Sequence, residues 1–276
     1  MTVKNLSTIS FNELLDCFLL AFENYFVKMP SDRNYYKERW KAANVDYNLS
    51  YGLFDQGKLV GFIIHAIDKR NGIVTAFNTA TGVIPEYRGK KIVKSIYNYA
   101  LQDLAKHGIQ KSTLEVITKN NIAIKAYEGV GFKISKNFKC FEGEIKIEND
   151  EEFEVEQIAL KNINWNTLPN QQYYSWDFQK ETLLKGNNSF FQVLRNKKPE
   201  SFFIINSDTN YIAQFDVLHT KNKGWNRLFT AINKQVSGNI KIINVDERLE
   251  DKLNCINSIG LKHLVDQYEM ELNILS

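Results

Sequence analysis

Prolines are few and glycines scattered, 4 and 14 in 276 residues. Those numbers exclude collagen-like, elastic and low-complexity architectures, and no long polar tract points to obligate disorder. Cysteine is scarcer still. Cys17, Cys140 and Cys255 are odd in number and widely spaced, which suits neither a disulfide framework nor a zinc site and predicts reduced, buried thiols. His65, His107, His219 and His263 stand isolated, so no metal is expected. Long apolar runs are also missing. Cys17 to Phe22 is among the longest, far below the roughly 20 residues of a membrane-spanning helix. The first residues hold no apolar stretch of a secretory leader, which makes a cytoplasmic location the expectation. Excess charge is small, 35 Lys/Arg against 32 Asp/Glu for a net +3, so neither nucleic acid nor a membrane surface is an expected partner.

What is present is an ordinary globular composition, 43% hydrophobic and 24% charged. Phe11, Leu14, Leu15, Phe18, Leu19, Phe22 and Phe26 recur at helical spacing, and Ser10 with Glu13 reads as a capping box. A second helix is expected from Asp32 to Ala43, with Ser31 as N-cap. The period then changes to two. Asn48 to Phe54, Leu59 to Ile67 and Ile73 to Val83, separated by polar turns, predict an antiparallel meander. Helical spacing returns from Ile92 to Leu104, closed by Gly108. A buried strand at Ser112–Ile117, a helix from Asn120 to Val130 and an extended run toward Glu148 follow. This order predicts an α/β (α+β) fold with a mixed, mainly antiparallel central sheet and flanking helices.

The halves differ in charge, with 21 Lys/Arg against 15 Asp/Glu in residues 1–149 and 14 against 17 in the rest. The second half nevertheless echoes the first. At a shift of 129, Leu114-Glu115-Val116, Tyr127 and Gly131-Phe132 align with Ile243-Asn244-Val245, Ile256 and Gly260-Leu261. Two related domains are expected, 1–148 and 149–276, divided at the acidic stretch Glu148–Glu152.

The chemistry-bearing segment is Val83-Ile-Pro-Glu-Tyr-Arg88-Gly89-Lys90-Lys91-Ile92-Val93, a strand end running into a helix start. Unpaired N–H groups at a helix start bind anions, and Arg88, Lys90 and Lys91 add positive charge. Further on stands Asn120-Asn-Ile-Ala123-Ile-Lys-Ala-Tyr127-Glu-Gly-Val-Gly131-Phe132. In order and spacing these two segments resemble the GNAT superfamily of acyl-CoA-dependent N-acetyltransferases. The pattern there is Val-x-Pro-x-x-(Arg/Gln)-x-x-Gly-x-(Gly/Ala) before a long helix, then Asn-x-x-Ala-x-x-x-Tyr-x-x-x-Gly-Phe. Two positions depart from it: Lys91 and Val93 stand where the family has glycine or another small residue.

The resemblance implies a GNAT fold, acetyl-CoA as co-substrate and no metal. It implies a pyrophosphate seat at Val83, Arg88, Gly89, Lys90, Lys91, Ile92 and Val93, with Asn120 and Tyr127 also on the cofactor. Tyr127 inherits the role of general acid toward the departing thiolate, a transfer that a phenol can make. Glu115, twelve residues earlier, becomes the candidate base for the attacking amine, directly or through water, and His65 an alternative. A backbone N–H at a bulged strand end near Val83 is implied to polarise the thioester carbonyl. Tyr25, Phe26, Tyr35, Tyr36, Trp40 and Tyr47 lie where the family builds the acceptor side of the cleft, although their helical spacing points first to core packing. The second domain, with Asn244 for Glu115, Ile256 for Tyr127 and Asn222-Lys223-Gly224 for the Arg-Gly turn, is expected to be degenerate. It would shape the cleft, close a sheet edge or mediate a homodimer. The expected activity is acetyl transfer to a small-molecule or peptide amine; the rival is a non-catalytic acyl-CoA-binding or protein-interaction module.

Overall fold

A computed structural model gives the fold over residues 1–147, 151–206, 209–218 and 224–274. His219, Asn222, Lys223 and part of the acidic stretch, Glu148 to Asp150, lie outside the described residues. The chain divides into two compact units, one of Met1–Ser135 with Tyr268–Ser276, the other Lys136–Gln267. The division therefore falls at 135/136 and not at 148/149. The reason is that a strand opening at Lys133 runs on to Gly143, so the boundary cuts a regular element.

The first unit begins with β1 (Thr2–Asn5), too short to register as a pattern in the sequence; it pairs with β2 (Tyr51–Asp55). Helix α1 (Phe11–Ala21) is capped by Ser10, whose hydroxyl accepts from the Glu13 N–H, and it stops before the expected Phe26. Helix α2 (Arg33–Ala43) is capped by Asp32, not Ser31, through an acceptor bond from the Asn34 N–H at 2.9 Å. The one-residue difference reflects a carboxylate placed directly before the first helical turn. Strands β2, β3 (Lys58–Arg70) and β4 (Ile73–Val83) form the expected meander. Helix α3 (Ile92–Lys106) then leads to β5 (Lys111–Ile117), which lies parallel to β4. Gly108, at φ 74°, turns the chain after α3. Helix α4 (Asn121–Glu128) and β6 (Lys133–Gly143) follow.

The C-terminal stretch returns to this unit beside β5. The Ile274 N–H donates to the Gln110 carbonyl at 2.8 Å, Lys111 pairs with Glu271 at 2.9 Å, and Met270 is fully buried. One core joins Leu14, Phe18, Tyr36, Trp40, Phe62, Ile64, Ile96, Tyr97, Leu104 and Tyr127. Tyr36 and Trp40 thus pack inside, with Phe18 against Tyr36 at 5.0 Å between ring centroids, while Phe26 is exposed.

The second unit contains β7 (Glu154–Ile158), α5 (Lys180–Leu183), β8 (Ser189–Arg195), β9 (Lys198–Asn206) and β10 (Tyr211–Val217). Next come α6 (Trp225–Gln235), β11 (Ile240–Asp246), α7 (Glu250–Ser258) and β12 (Lys262–Asn273). Strands β7 to β10 are antiparallel neighbours, β11 lies parallel to β10, and β6 antiparallel to β11. The series α6–β11–α7–β12 repeats α3–β5–α4–β6, so the weak repeat in the sequence is a repeat of architecture. All three cysteines are buried thiols outside any disulfide, and no helix among the described residues is long and apolar enough to cross a membrane.

His65 on β3 is fully buried. Its Nδ1 lies 2.8 Å from the Leu49 carbonyl and its Nε2 finds no partner. Burial pushes the ring down to about 4, so it stays neutral inside the core and is no base at the surface of a cleft. The unfolded chain takes up a proton near pH 6.5 that the folded ring refuses. Stability is therefore complete above that pH and falls as pH drops toward 4, by about 3 kcal/mol from this group. Urea unfolding between pH 7 and 4 should show that slope in the wild type and a shallower one in His65→Gln; equal slopes would refute the assignment.

Candidate functional site

The site grows from an irregularity in β4. His65 pairs with Asn78 and Ile64 with Ala80, so Thr79 is an extra residue, a β-bulge. The expected bulge near Val83 is displaced to Thr79, because Val83 itself is in regular register with Gly61. On its other side β4 pairs with β5 only from Thr75–Lys111 to Asn78–Leu114. Past that point the ladder ends among the described residues, and the two strands form a fork with Asn78 at its root.

Side chains from three elements meet at this root. Asn78 is 5% exposed, and its Nδ2 donates to Thr81 Oγ1 and to Tyr97 Oη, both at 2.7 Å. Tyr127, on α4, is buried and hydrogen-bonded by Thr81 and Asn78. Its ring lies 6.3 Å from that of Tyr97 and 5.9 Å from that of Phe132. Burial pushes the phenol up to about 12, the hydrogen bond from Thr81 working against that shift. Tyr127 is therefore a protonated phenol through the neutral range. Asn120 caps α4, accepting from the Ala123 N–H at 3.2 Å, and also hydrogen-bonds Tyr25. Tyr25, raised by burial, thus joins the tip of the first helix pair to the head of α4.

Glu115 is the first residue of β5 beyond the paired stretch. Leu114 and Val116 turn into the core, and Glu115, half-buried, takes the opposite face of the strand. The sequence does not single out Asn78, Thr81 and Tyr97 as chemistry, and it marks Tyr25 only for the acceptor side of the cleft. The available signal was the polar run Asn78-Thr79-Ala80-Thr81 within an apolar strand.

The segment Val83–Val93 forms the turn from β4 into α3. Arg88 does not stand free as a phosphate ligand: its Nε donates to the Val83 carbonyl at 3.3 Å and its Nη2 to the Ala21 carbonyl at 3.0 Å. It holds the turn in shape. Lys90 lies over the Tyr87 ring at 4.4 Å, and Tyr87 donates to Asp55 at 2.7 Å. Gly89 has φ 78° and Lys91 φ 56°, both left-handed. The glycine of the family pattern thus has a physical reason at position 91, and lysine carries the strain. Lys91 serves as N-cap of α3, and no described side chain caps the helix, which leaves its first N–H groups available to an anion. Ile92 is buried beside Gly61, where a Cβ would come within 2.7 Å of Ile92 Cγ2, and Val93 packs against the core. Neither side chain obstructs the helix start. The described residues contain no cluster of metal-ligating side chains.

The corresponding place in the second unit is filled. The bulge recurs at Ala213, between Ile212–Ile205 and Gln214–Ile204, and β10 pairs with β11 only at Tyr211–Lys241. The fork there is lined by Tyr174, Asn244, Asp246 and Lys252 among others. Lys252, at the 129-residue shift from Ala123, is buried; its Nζ lies 2.9 Å from Asp216 and donates to Tyr174 Oη at 3.1 Å and to the Phe215 carbonyl at 2.7 Å. Burial lowers this ammonium from its ordinary value and Asp216 opposes the shift. At the start of α6 stands the buried carboxylate of Glu200, held by Arg227 through two 2.7 Å bonds. It lies against Gly224, whose Cβ, if present, would be 3.2 Å from Glu200 Cδ.

Residues 11–132 match the model of the acetyltransferase (GNAT) family. Solved structures extend the likeness to the whole length. A tandem GNAT protein from the clavulanic acid biosynthesis pathway superposes with a TM-score of 0.72 at 12% identity, over 100% of this chain and 99% of that one. A GCN5-related N-acetyltransferase from Sphaerobacter thermophilus gives 0.68 at 8% identity, over 100% and 96%. One from Anabaena variabilis gives 0.61 at 14% identity, over 99% and 72%. At such identities these likenesses concern the fold, a GNAT fold followed by a second GNAT-like unit. No curated protein matches the sequence.

The strain at Lys91 yields a prediction. Lys91→Gly should stabilise the protein by about 1 kcal/mol by relieving a left-handed non-glycine residue. A denaturant midpoint that does not rise would contradict the strain.

Proposed function

We propose that the protein is an N-acetyltransferase that moves an acetyl group from acetyl-CoA to a primary amine by direct attack. The observation that carries this reading is the junction of an uncapped, lysine-flanked helix start with a strand fork that has a buried phenol at its root. A diphosphate fits the first feature, because α3 offers unpaired N–H groups and its dipole beside Lys90, Lys91 and Lys94. An extended acyl-pantetheine chain suits the second, since a chain laid in the fork can pair with backbone groups that β4 and β5 do not use on each other.

The chemistry assigned to the chain's own residues follows. The amine nitrogen attacks the thioester carbonyl carbon, the C–N bond forms, the C–S bond breaks, and the electron pair goes to sulfur. Tyr127 gives its proton to that sulfur. The amine must shed a proton, which Glu115 takes directly or through water, and the two residues are reset by net transfer of one proton from nitrogen to the phenolate. Arg88 supports this from a distance by fixing the turn through Val83 and Ala21. The second unit, with Glu200 at the anion seat and Lys252 in the fork, is read as a non-catalytic partner domain that binds no second CoA. The acceptor is assigned only to the class of primary amines.

Calorimetric titration with acetyl-CoA and with CoA tests the seat, and thiol release with a panel of amines tests the turnover. Binding is expected at one site per chain, weakened about tenfold or more in Arg88→Ala as the turn loosens. Tyr127→Phe should lower kcat about 10²-fold with acetyl-CoA binding retained. Glu115→Gln should lower kcat/KM and abolish the acid limb of its pH profile. Absence of binding would defeat the reading. Binding without turnover on any amine would assign the chain to the non-catalytic acyl-CoA-binding class.

A further inference from the structure

Asn78 is placed where a purely structural side chain would be better replaced by an apolar one. It is buried in β4, and its Oδ1 has no partner, a deficit that folded cores ordinarily avoid. Its Nδ2 bonds Thr81 Oγ1 and Tyr97 Oη at 2.7 Å each. Both hydroxyls accept from the amide, so their own protons are turned away from it. Thr81 and Asn78 are also the hydrogen-bond partners of Tyr127. The four polar groups thus form one network that ends on the phenol oxygen, sealed by the rings of Tyr97, Phe132 and Tyr127.

We propose that Asn78 is a positioning residue for the transfer reaction. It acts through Thr81 and Tyr97 to fix the orientation of the Tyr127 hydroxyl and to supply donors to its oxygen as the proton leaves. This rests on the acetyltransferase reading. The balance is simple: the Tyr127 O–H bond breaks as the S–H bond of the departing thiol forms, and a phenolate remains until it is reprotonated. In an apolar pocket an unassisted phenolate is strongly disfavoured. Donors held in advance at that oxygen stabilise the charge as it develops and need no reorganisation. Asn78 can serve in this way because its amide neither gains nor loses a proton itself.

A double-mutant cycle between Asn78 and Tyr127 tests the proposal, with thermal melting of each variant. Asn78→Leu should melt near the wild-type temperature, because the unpaired Oδ1 is removed along with the bonds. It should lower kcat about tenfold while changing KM for acetyl-CoA less than about twofold. In the Tyr127→Phe background the same substitution should have no further effect, since the group through which it acts is gone. If Asn78→Leu is too unstable to assay, Thr81→Val enters the same cycle with the same expectation. An equal loss in both backgrounds, or an unchanged kcat in the single variant, would overturn the positioning role alone. A wild type that turns over no amine would overturn the acetyltransferase reading and this proposal with it.

Discussion

The bulge at Thr79 is the constraint on which the first unit's site depends. In a regular strand residues three apart face opposite sides of the sheet. Asn78 and Thr81 are three apart, yet their side chains meet at 2.7 Å. The inserted residue resets the phase, so one strand presents both groups to the same helix layer. The same insertion coincides with the end of the β4–β5 ladder at Asn78–Leu114, and parallel strands that part leave backbone groups with no intramolecular use. Without the bulge the strand would continue as a sealed central element. Tyr127 would then meet an alternating apolar face instead of two hydrogen-bonding partners.

The turn from β4 into α3 is held in a different manner. Its conformation needs two left-handed residues, Gly89 and Lys91, and only one of them is glycine. The guanidinium of Arg88 offsets that deficiency by tying the turn to carbonyls of Val83 and Ala21. Gly82 makes the approach of α1 possible, for a Cβ there would lie 2.8 Å from Ala21 Cβ and 2.5 Å from Phe62 Cζ. One side chain therefore holds the turn that leads into α3, and a residue expected to touch phosphate instead touches backbone.

Most of the first unit was legible because its elements follow simple periods. β4 was read to the residue as Ile73–Val83, and the bounds of α3 and β5 within about two residues. The two motifs fell on Tyr127 in a helix and on Lys91 at a helix start. What escaped had physical reasons. β1 is four residues long and gains its order from pairing with β2, not from any pattern of its own. The domain boundary was hidden inside β6, because a strand whose two ends serve different units looks continuous in sequence. The position of the bulge was not legible, since a β-bulge has no fixed residue signature when no glycine marks it. Asn78 and Thr81 could not be recognised as neighbours while period two put them on opposite faces.

The two units show how little of a fold's chemistry resides in its backbone. Both carry the bulge, the parallel strand pair and the helix that follows each strand. In the first unit the helix start is open and Ala123 leaves room at the head of α4. In the second, at the matching shift, Lys252 brings an ammonium whose contacts to Asp216, Tyr174 and Phe215 occupy the fork. A single substitution of that size requires compensation, because a buried ammonium is tolerated only when its donors are met. Asp216, itself bonded by Asn170 at 2.7 Å, supplies it. Glu200, paired with Arg227, sets a carboxylate against Gly224 at the start of α6. Reopening the second unit would therefore require removing Lys252 and Asp216 together. Removal of either one alone leaves an uncompensated buried charge and should damage the unit's stability more than losing the pair.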